Sequence, residues 1–404
     1  MIASTYLVRH GLPVALLALG IGFSLPGIAD SGSDNGNGKG NGNGNGNGNS
    51  YLQHNLVSNL AGVADHQDPQ LINAWGVAFN PAAVVWVADN ASGVSTLYDG
   101  LGNKQGLVVT IPAVNGAGQG VPTGITFNVT NDFLVPVTNP GPPPVTNNVA
   151  AKFLFATEDG GIFGWAPGLT TAVQKVPAAG AATTAVYKGI AIAGNGAGHF
   201  MVYAADFHNL KIDVFDNNFN PVTVTGGFAD PSIPAGFGPF NIMNIQGNLY
   251  VAYAMKDPTS DDEVDAPGLG FVDVFDADGV LLRRLATRGK LNAPWGMALA
   301  PTGFGKFSNA LLVGNFGDGT INAYDPKNGT SLGQLRTADN NVLVIDGLWG
   351  IAFGNGILSQ PTDVLFFAAG PAGETQGLYG FIEPSAPTSS SGGGGGGGHH
   401  AGGG

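Results

Sequence analysis

No cysteine occurs in the 404 residues. That absence excludes a disulfide framework, a thiolate metal site and a cysteine nucleophile. It does not argue against export, because a chain of this length can bury a core that needs no cross-links. Basic residues are also scarce, 15 Lys and Arg against 28 Asp and Glu, for a net charge of −13. A nucleic-acid partner needs a basic face to displace phosphate counterions. The densest basic feature is Arg283 and Arg284 with Arg288 and Lys290, which reads as charge blunting an exposed strand edge. Nucleic acid is therefore not an expected partner. The GxSxG elbow, the HExxH helix and the phosphate loop are missing as well. Long apolar runs are lacking: residues 11–25 fall short of the roughly 20 a spanning helix needs, and Pro13 and Pro26 interrupt them.

What is abundant is glycine, 67 residues, with 26 proline. In a helix Gly costs about 1 kcal/mol relative to Ala and Pro about 3 kcal/mol. The composition points to many short strands joined by tight turns.

Residues 1–29 read as a secretory signal peptide, with Arg9 and His10 before the apolar segment and Gly27-Ile28-Ala29 supplying small residues at the cleavage site. Residues 30–50 alternate Gly and Asn with no apolar side chain to bury, a flexible linker. No membrane span is expected after signal cleavage. Residues 384–404 are a Ser- and Gly-rich tail expected to be disordered, with His399 and His400 near its end.

Between them lies a repeat. Six inner strands align on Trp75-Gly76-Val77, Thr123-Gly124-Ile125, Lys188-Gly189-Ile190, Phe240-Asn241-Ile242, Trp295-Gly296-Met297 and Trp349-Gly350-Ile351. Glycine holds one register in five of the six, as strands converging on a narrow axis require. Each unit continues with an apolar second strand and a third carrying an aromatic in register: Tyr98, Trp165, Phe215, Phe275, Tyr324 and Phe381. These aromatics are expected in the core. Asp follows in four units, at Asp99, Asp216, Asp276 and Asp325, an acceptor opening a turn. Units one to five have a fourth strand; unit six lacks one, and Tyr51–Ser58 precedes unit one unassigned. The expected fold is all-β: a six-bladed β-propeller of four-stranded antiparallel blades over residues 51–383, closed by the N-terminal strand. Two insertions interrupt it: residues 130–148, expected as a Pro-rich loop in blade two, and the acidic residues 257–268, expected as a solvated, mobile loop in blade four.

The loops on one face of such a ring carry the candidate chemistry. Asp89, Glu158, Asp206 and Asn315 hold similar positions in four blades and could converge on a hard cation, Ca²⁺ or Mg²⁺, which take oxygen ligands. The competing reading is turn chemistry, since Asp and Asn cap tight turns. His66 and His208 are the histidines expected on that face and the candidates for a general base. Asn73, Asn90, Asn241 and Asn292 are candidate ligand-binding amides.

The strings NAWGVAF, STLYDG, FATEDG, YAADF, PAGFGPFNI, LNAPWGMALAP, LLVGNFGDG and IDGLWGIAFG resemble a family of uncharacterised secreted bacterial propeller proteins and, more loosely, NHL-repeat propellers. The resemblance covers about residues 51–383. It implies the same fold and brings no established catalytic residues to carry over. Some members of that family end in a sorting tail, which this chain's Gly/Ser end does not match. The expected function is an exported binding platform, periplasmic or extracellular and monomeric, for an unknown protein, glycan or small molecule. The alternatives are a metal-dependent hydrolase or lyase with a divalent cation in the channel, and a cell-envelope or matrix component.

Overall fold

Every repeat folds as one antiparallel sheet, and six such sheets stand in a ring. The computed structural model describes residues 50–385 apart from 117 and 197. The signal peptide, nearly all of the linker and the tail expected from the sequence lie outside the described residues.

Blade 1 comprises Ala74–Phe79, Val85–Asp89, Val94–Tyr98 and Val109–Thr110, in that spatial order. Blade 2 comprises Pro122–Phe127, Phe153–Thr157, Ile162–Trp165 and Val173–Val176. Blades 3, 4 and 5 begin at Tyr187–Gly194, Phe237–Ile245 and Pro294–Leu299 and repeat the order. Blade 6 comprises Leu348–Phe353, Leu365–Ala369 and Leu378–Pro384 and takes its fourth strand from Tyr51–Ser58, antiparallel to Leu378–Pro384 with Tyr51 opposite Pro384. The closure expected from the sequence is thus present. A fifth, short strand, His66–Gln67, runs parallel along its outside.

The inner strands show why glycine recurs. A Cβ on Gly76 would lie 2.6 Å from the Thr123 carbonyl oxygen of the next blade, on Gly124 2.8 Å from Ile190 N, and on Gly350 2.5 Å from the Trp75 carbonyl oxygen. Those distances are shorter than real Cβ contacts, so the backbones pass one another only because side chains are absent. Blade 4 has Asn241 in this register. Its amide donates to the Trp295 carbonyl oxygen across the seam (2.8 Å), and its side-chain oxygen sits against Gly189.

The core is accordingly a set of layers between blades. Ala78, Trp86, Phe153 and Phe163 fill the space between blades 1 and 2, and Leu56, Tyr98, Phe366 and Tyr379 that between blades 6 and 1. Five of the six third-strand aromatics are buried as expected, with Phe381 packed at partial exposure. Asp99 and Asp216 each accept two backbone N–H groups of their own turn through Oδ1, from Leu101 and Asn103 and from Asn218 and Asn220.

The insertion in blade 2 corrects the sequence reading. It is a β-hairpin, Leu134–Asn139 paired with Val145–Ala150. Its proline content drew attention away from a period-two alternation: Val135 and Val137 are buried against the blade 2 core while Leu134, Pro136 and Thr138 are exposed. The acidic loop differs too. It is held by backbone bonds from Asp257 N to the Asp262 oxygen (2.8 Å) and from Val264 N to the Met255 oxygen (2.8 Å), and by a bridge between Lys256 and Glu263.

Candidate binding face

In all six blades the ladder between the first two strands slips near the start of the inner strand. A bulge of this kind turns a side chain out of the sheet. The residues at the slips are Trp75, Thr123, Lys188, Phe240, Trp295 and Trp349. Four of them close the axis. Trp75 stacks on Trp349 at 3.6 Å between ring centroids, Trp295 meets Trp349 edge-on at 5.7 Å, and Phe240 leans on Trp349. Phe316 stacks on Trp349 from the other side at 3.9 Å. Beside this aromatic plug the channel is reduced to a cavity of about 30 Å³ lined by Gly76, Gly124, Asn241, Trp295 and Gly350, the order of size of a single water.

A polar network adjoins the plug. Lys188 is 3% exposed, donates to Glu158 Oε1 at 2.6 Å and lies 5.2 Å from the centre of the Trp75 ring, within cation–π range. Asn90 donates to Glu158 Oε2 (2.8 Å), Asn73 donates to Asn90 Oδ1 (3.3 Å) and Glu374 Oε1 (3.1 Å), and the Trp349 indole N–H donates to Asn73 Oδ1 (3.3 Å). Burial works against the Lys188 ammonium, but Glu158, Glu263 and Glu374 outweigh it and hold its pKa above the ordinary lysine value. Burial, reinforced by Glu158, raises the Glu374 carboxyl, and burial pushes Glu263 up to about 8 against the pull of Lys188.

The candidate residues fare differently. Asn73, Asn90 and Glu158 belong to this network. Asn241 is buried in the seam between blades. Asn292 is buried with its side-chain oxygen unpartnered, a situation that costs about 1–3 kcal/mol. The four residues read as a metal ring are not brought together. Asp89 accepts from the Thr96 backbone N–H (3.0 Å) and hydroxyl (2.7 Å) within blade 1. Asp206 accepts from Val186 N and from the Asn209 backbone and side chain within blade 3. Asn315 donates to the Lys290 carbonyl oxygen, Asp318 and Thr320. Among the described residues no three His, Asp or Glu side chains stand close enough to share a metal ion.

The reason is a one-residue offset. Asp89, Asp206 and Asn315 are the last residues of their strands, whereas Glu158 follows the last residue, Thr157. In a pleated strand one step reverses the side chain. The residues that truly correspond to Glu158 are Asn90, Phe207 and Phe316, and these do join the network or the plug.

The histidines stand apart from this network. His66 lies in the outermost strand of blade 6 and bonds the Leu101 carbonyl oxygen (3.0 Å), and His208 pairs with Asp261 of the acidic loop (2.7 Å). Neither is bonded to the Lys188 network, so no general base is assembled there by them.

These features define a six-bladed propeller with a plugged axis and a charged, hydrogen-bonded cluster beside the plug. The chain belongs to a family that includes two proteins of Acanthamoeba polyphaga mimivirus. Uncharacterized protein R648 is 36% identical over 340 residues, covering 81% of this chain and 78% of that protein. Uncharacterized protein L690 is 37% identical over 335 residues, covering 80% and 83%. These relatives are viral and lend no support to the bacterial membership expected from the sequence strings. No family model matches the chain. Among solved structures, a glucose dehydrogenase covers 83% of this chain and 99% of its own with a TM-score of 0.49 at 11% identity. A catalytically inactive virginiamycin B lyase from Staphylococcus aureus gives 0.47 at 11%. Likenesses this loose carry no argument about activity.

Proposed function

We propose that the protein is an exported binding platform that takes its partner, a protein or a glycan, on the face formed by Asn73, Asn90, Glu158, Lys188 and Glu374. The observation that carries this reading is the joining of side chains from blades 1, 2, 3 and 6 in one connected network beside a closed axis. A buried polar network built on a rigid ring fixes side-chain positions in advance of a ligand, and the loops of a rigid scaffold are where recognition resides. The signal-like residues 1–29 support export, and no helix among the described residues is long and apolar enough to cross a membrane.

The test uses the full chain. Surface capture on a glycan array and cross-linking to envelope proteins are compared for the wild type, Glu374→Lys and Lys327→Glu, the last placed in the turn after the third strand of blade 5, on the other face. Binding lost in Glu374→Lys and kept in Lys327→Glu supports the reading. Equal binding by all three, or loss only in Lys327→Glu, overturns it.

A further inference from the structure

Asn292 lies just ahead of the inner strand of blade 5. It is 4% exposed, and its side-chain oxygen receives no hydrogen bond. That oxygen is aimed at Gly317, in the hairpin between the second and third strands of the same blade, whose N–H bonds the Asn292 backbone oxygen at 3.2 Å. A Cβ on Gly317 would lie 2.3 Å from Asn292 Oδ1 and 2.8 Å from Asp265 Oδ1. Two acceptor oxygens from different blades thus flank one small volume, and glycine is the residue that leaves it open.

Asp265 comes from the acidic loop of blade 4, which is fixed against this spot. Gly268 N donates to the Leu291 carbonyl oxygen (2.8 Å), and Leu269 bridges to Asn292. Glu263, two residues before Asp265, stands within its electrostatic reach. The surroundings are therefore rich in oxygen acceptors.

We propose that a hard divalent cation, Ca²⁺ or Mg²⁺, binds between Asp265 and the Asn292 side-chain oxygen over Gly317, with water completing the shell. Carboxylate and amide oxygens are the ligand types such ions take, at about 2.3–2.6 Å for Ca²⁺ and 2.0–2.1 Å for Mg²⁺. An ion in front of it is one of the groups that satisfies a buried amide oxygen with no protein donor. This is a different set from the Asp89, Glu158, Asp206 and Asn315 ring, and it stands on its own geometry, independent of the partner reading.

The experiment is calorimetric titration of the chelator-treated full chain with CaCl₂ and with MgCl₂, paired with thermal melts. The expected result is one equivalent of either ion bound, a higher melting temperature in its presence, and reversal by EDTA. Asp265→Asn and Asn292→Ala should each weaken binding at least tenfold, and Gly317→Ala, which fills the space, should abolish it. If Gly317→Ala fails to fold, the other two variants still decide. No heat and no shift in the wild type overturns the proposal, and so does binding that survives unchanged in both Asp265→Asn and Asn292→Ala.

Discussion

Excising Tyr51–Ser58 should remove most of the stability of the ring. The strand buries Tyr51, Leu56 and Val57 almost completely. Full burial is worth about 1.5–3 kcal/mol for a side chain such as Leu or Val, so the three together supply roughly 4–9 kcal/mol by the same scale. The Tyr51 hydroxyl adds two bonds, donating to the Phe304 carbonyl oxygen (3.0 Å) and accepting from Phe307 N (3.1 Å), each worth about 1 kcal/mol. A domain's whole stability is about 5–15 kcal/mol. The truncated ring should therefore be mostly unfolded at a denaturant concentration where the intact protein is native, with Leu378–Pro384 left as an open edge. Tyr51→Phe separates the hydroxyl from the strand: it leaves Phe307 N unpaired in the core and should cost about 1–3 kcal/mol. Urea denaturation followed by tryptophan fluorescence reads both, since Trp75, Trp295 and Trp349 report on the axis. If the truncated chain unfolds at the same urea midpoint as the intact one, Tyr51–Ser58 does not close the ring and the reasoning fails.

Two further predictions use the same assay. Gly76→Ala would force a Cβ to within 2.6 Å of the Thr123 carbonyl oxygen, and overpacking of this kind costs about 1–3 kcal/mol; an unchanged midpoint would mean the seam is looser than described. Lys188→Met leaves Glu158, Glu263 and Glu374 without their shared cation, and breaking a buried pair on one side costs about 3–5 kcal/mol. Because Glu158 keeps 27% of its side chain exposed, the lower end is expected, and Glu158→Gln in the same chain should restore part of the loss; a midpoint unmoved by Lys188→Met would refute the account.

The ring could be read from the sequence because its signals repeat. Glycine at one register, an aromatic in the third strand and Asp opening the next turn each recur, so chance variation in one blade is corrected by the others. The leftover strand before Trp75 then had one place to go. The site could not be read in the same way, because it rests on direction rather than position. Asp89 and Glu158 look equivalent in an alignment of apolar runs, yet they stand one residue apart in the pleat, and one points into its blade while the other reaches Lys188. Residues 134–150 hid a hairpin because proline obscured the alternation of Val135 and Val137. The acidic loop looked solvated because nothing in the run of Asp and Glu reveals that Leu291 and Asn292 receive its far end.

Lys188 shows how the bulged inner strands make one site of six separate sheets. It belongs to blade 3. Its ammonium pairs with Glu158 of blade 2 and lies over the Trp75 ring of blade 1. Its charge acts on Glu263 of blade 4 and Glu374 of blade 6. Its backbone oxygen accepts the indole N–H of Trp295 in blade 5 at 3.0 Å. A ligand that draws Glu158 away from this lysine would therefore alter a contact or a field in every blade at once. Because the channel is plugged directly beside it, such a ligand must act from the open face, without passing through the ring.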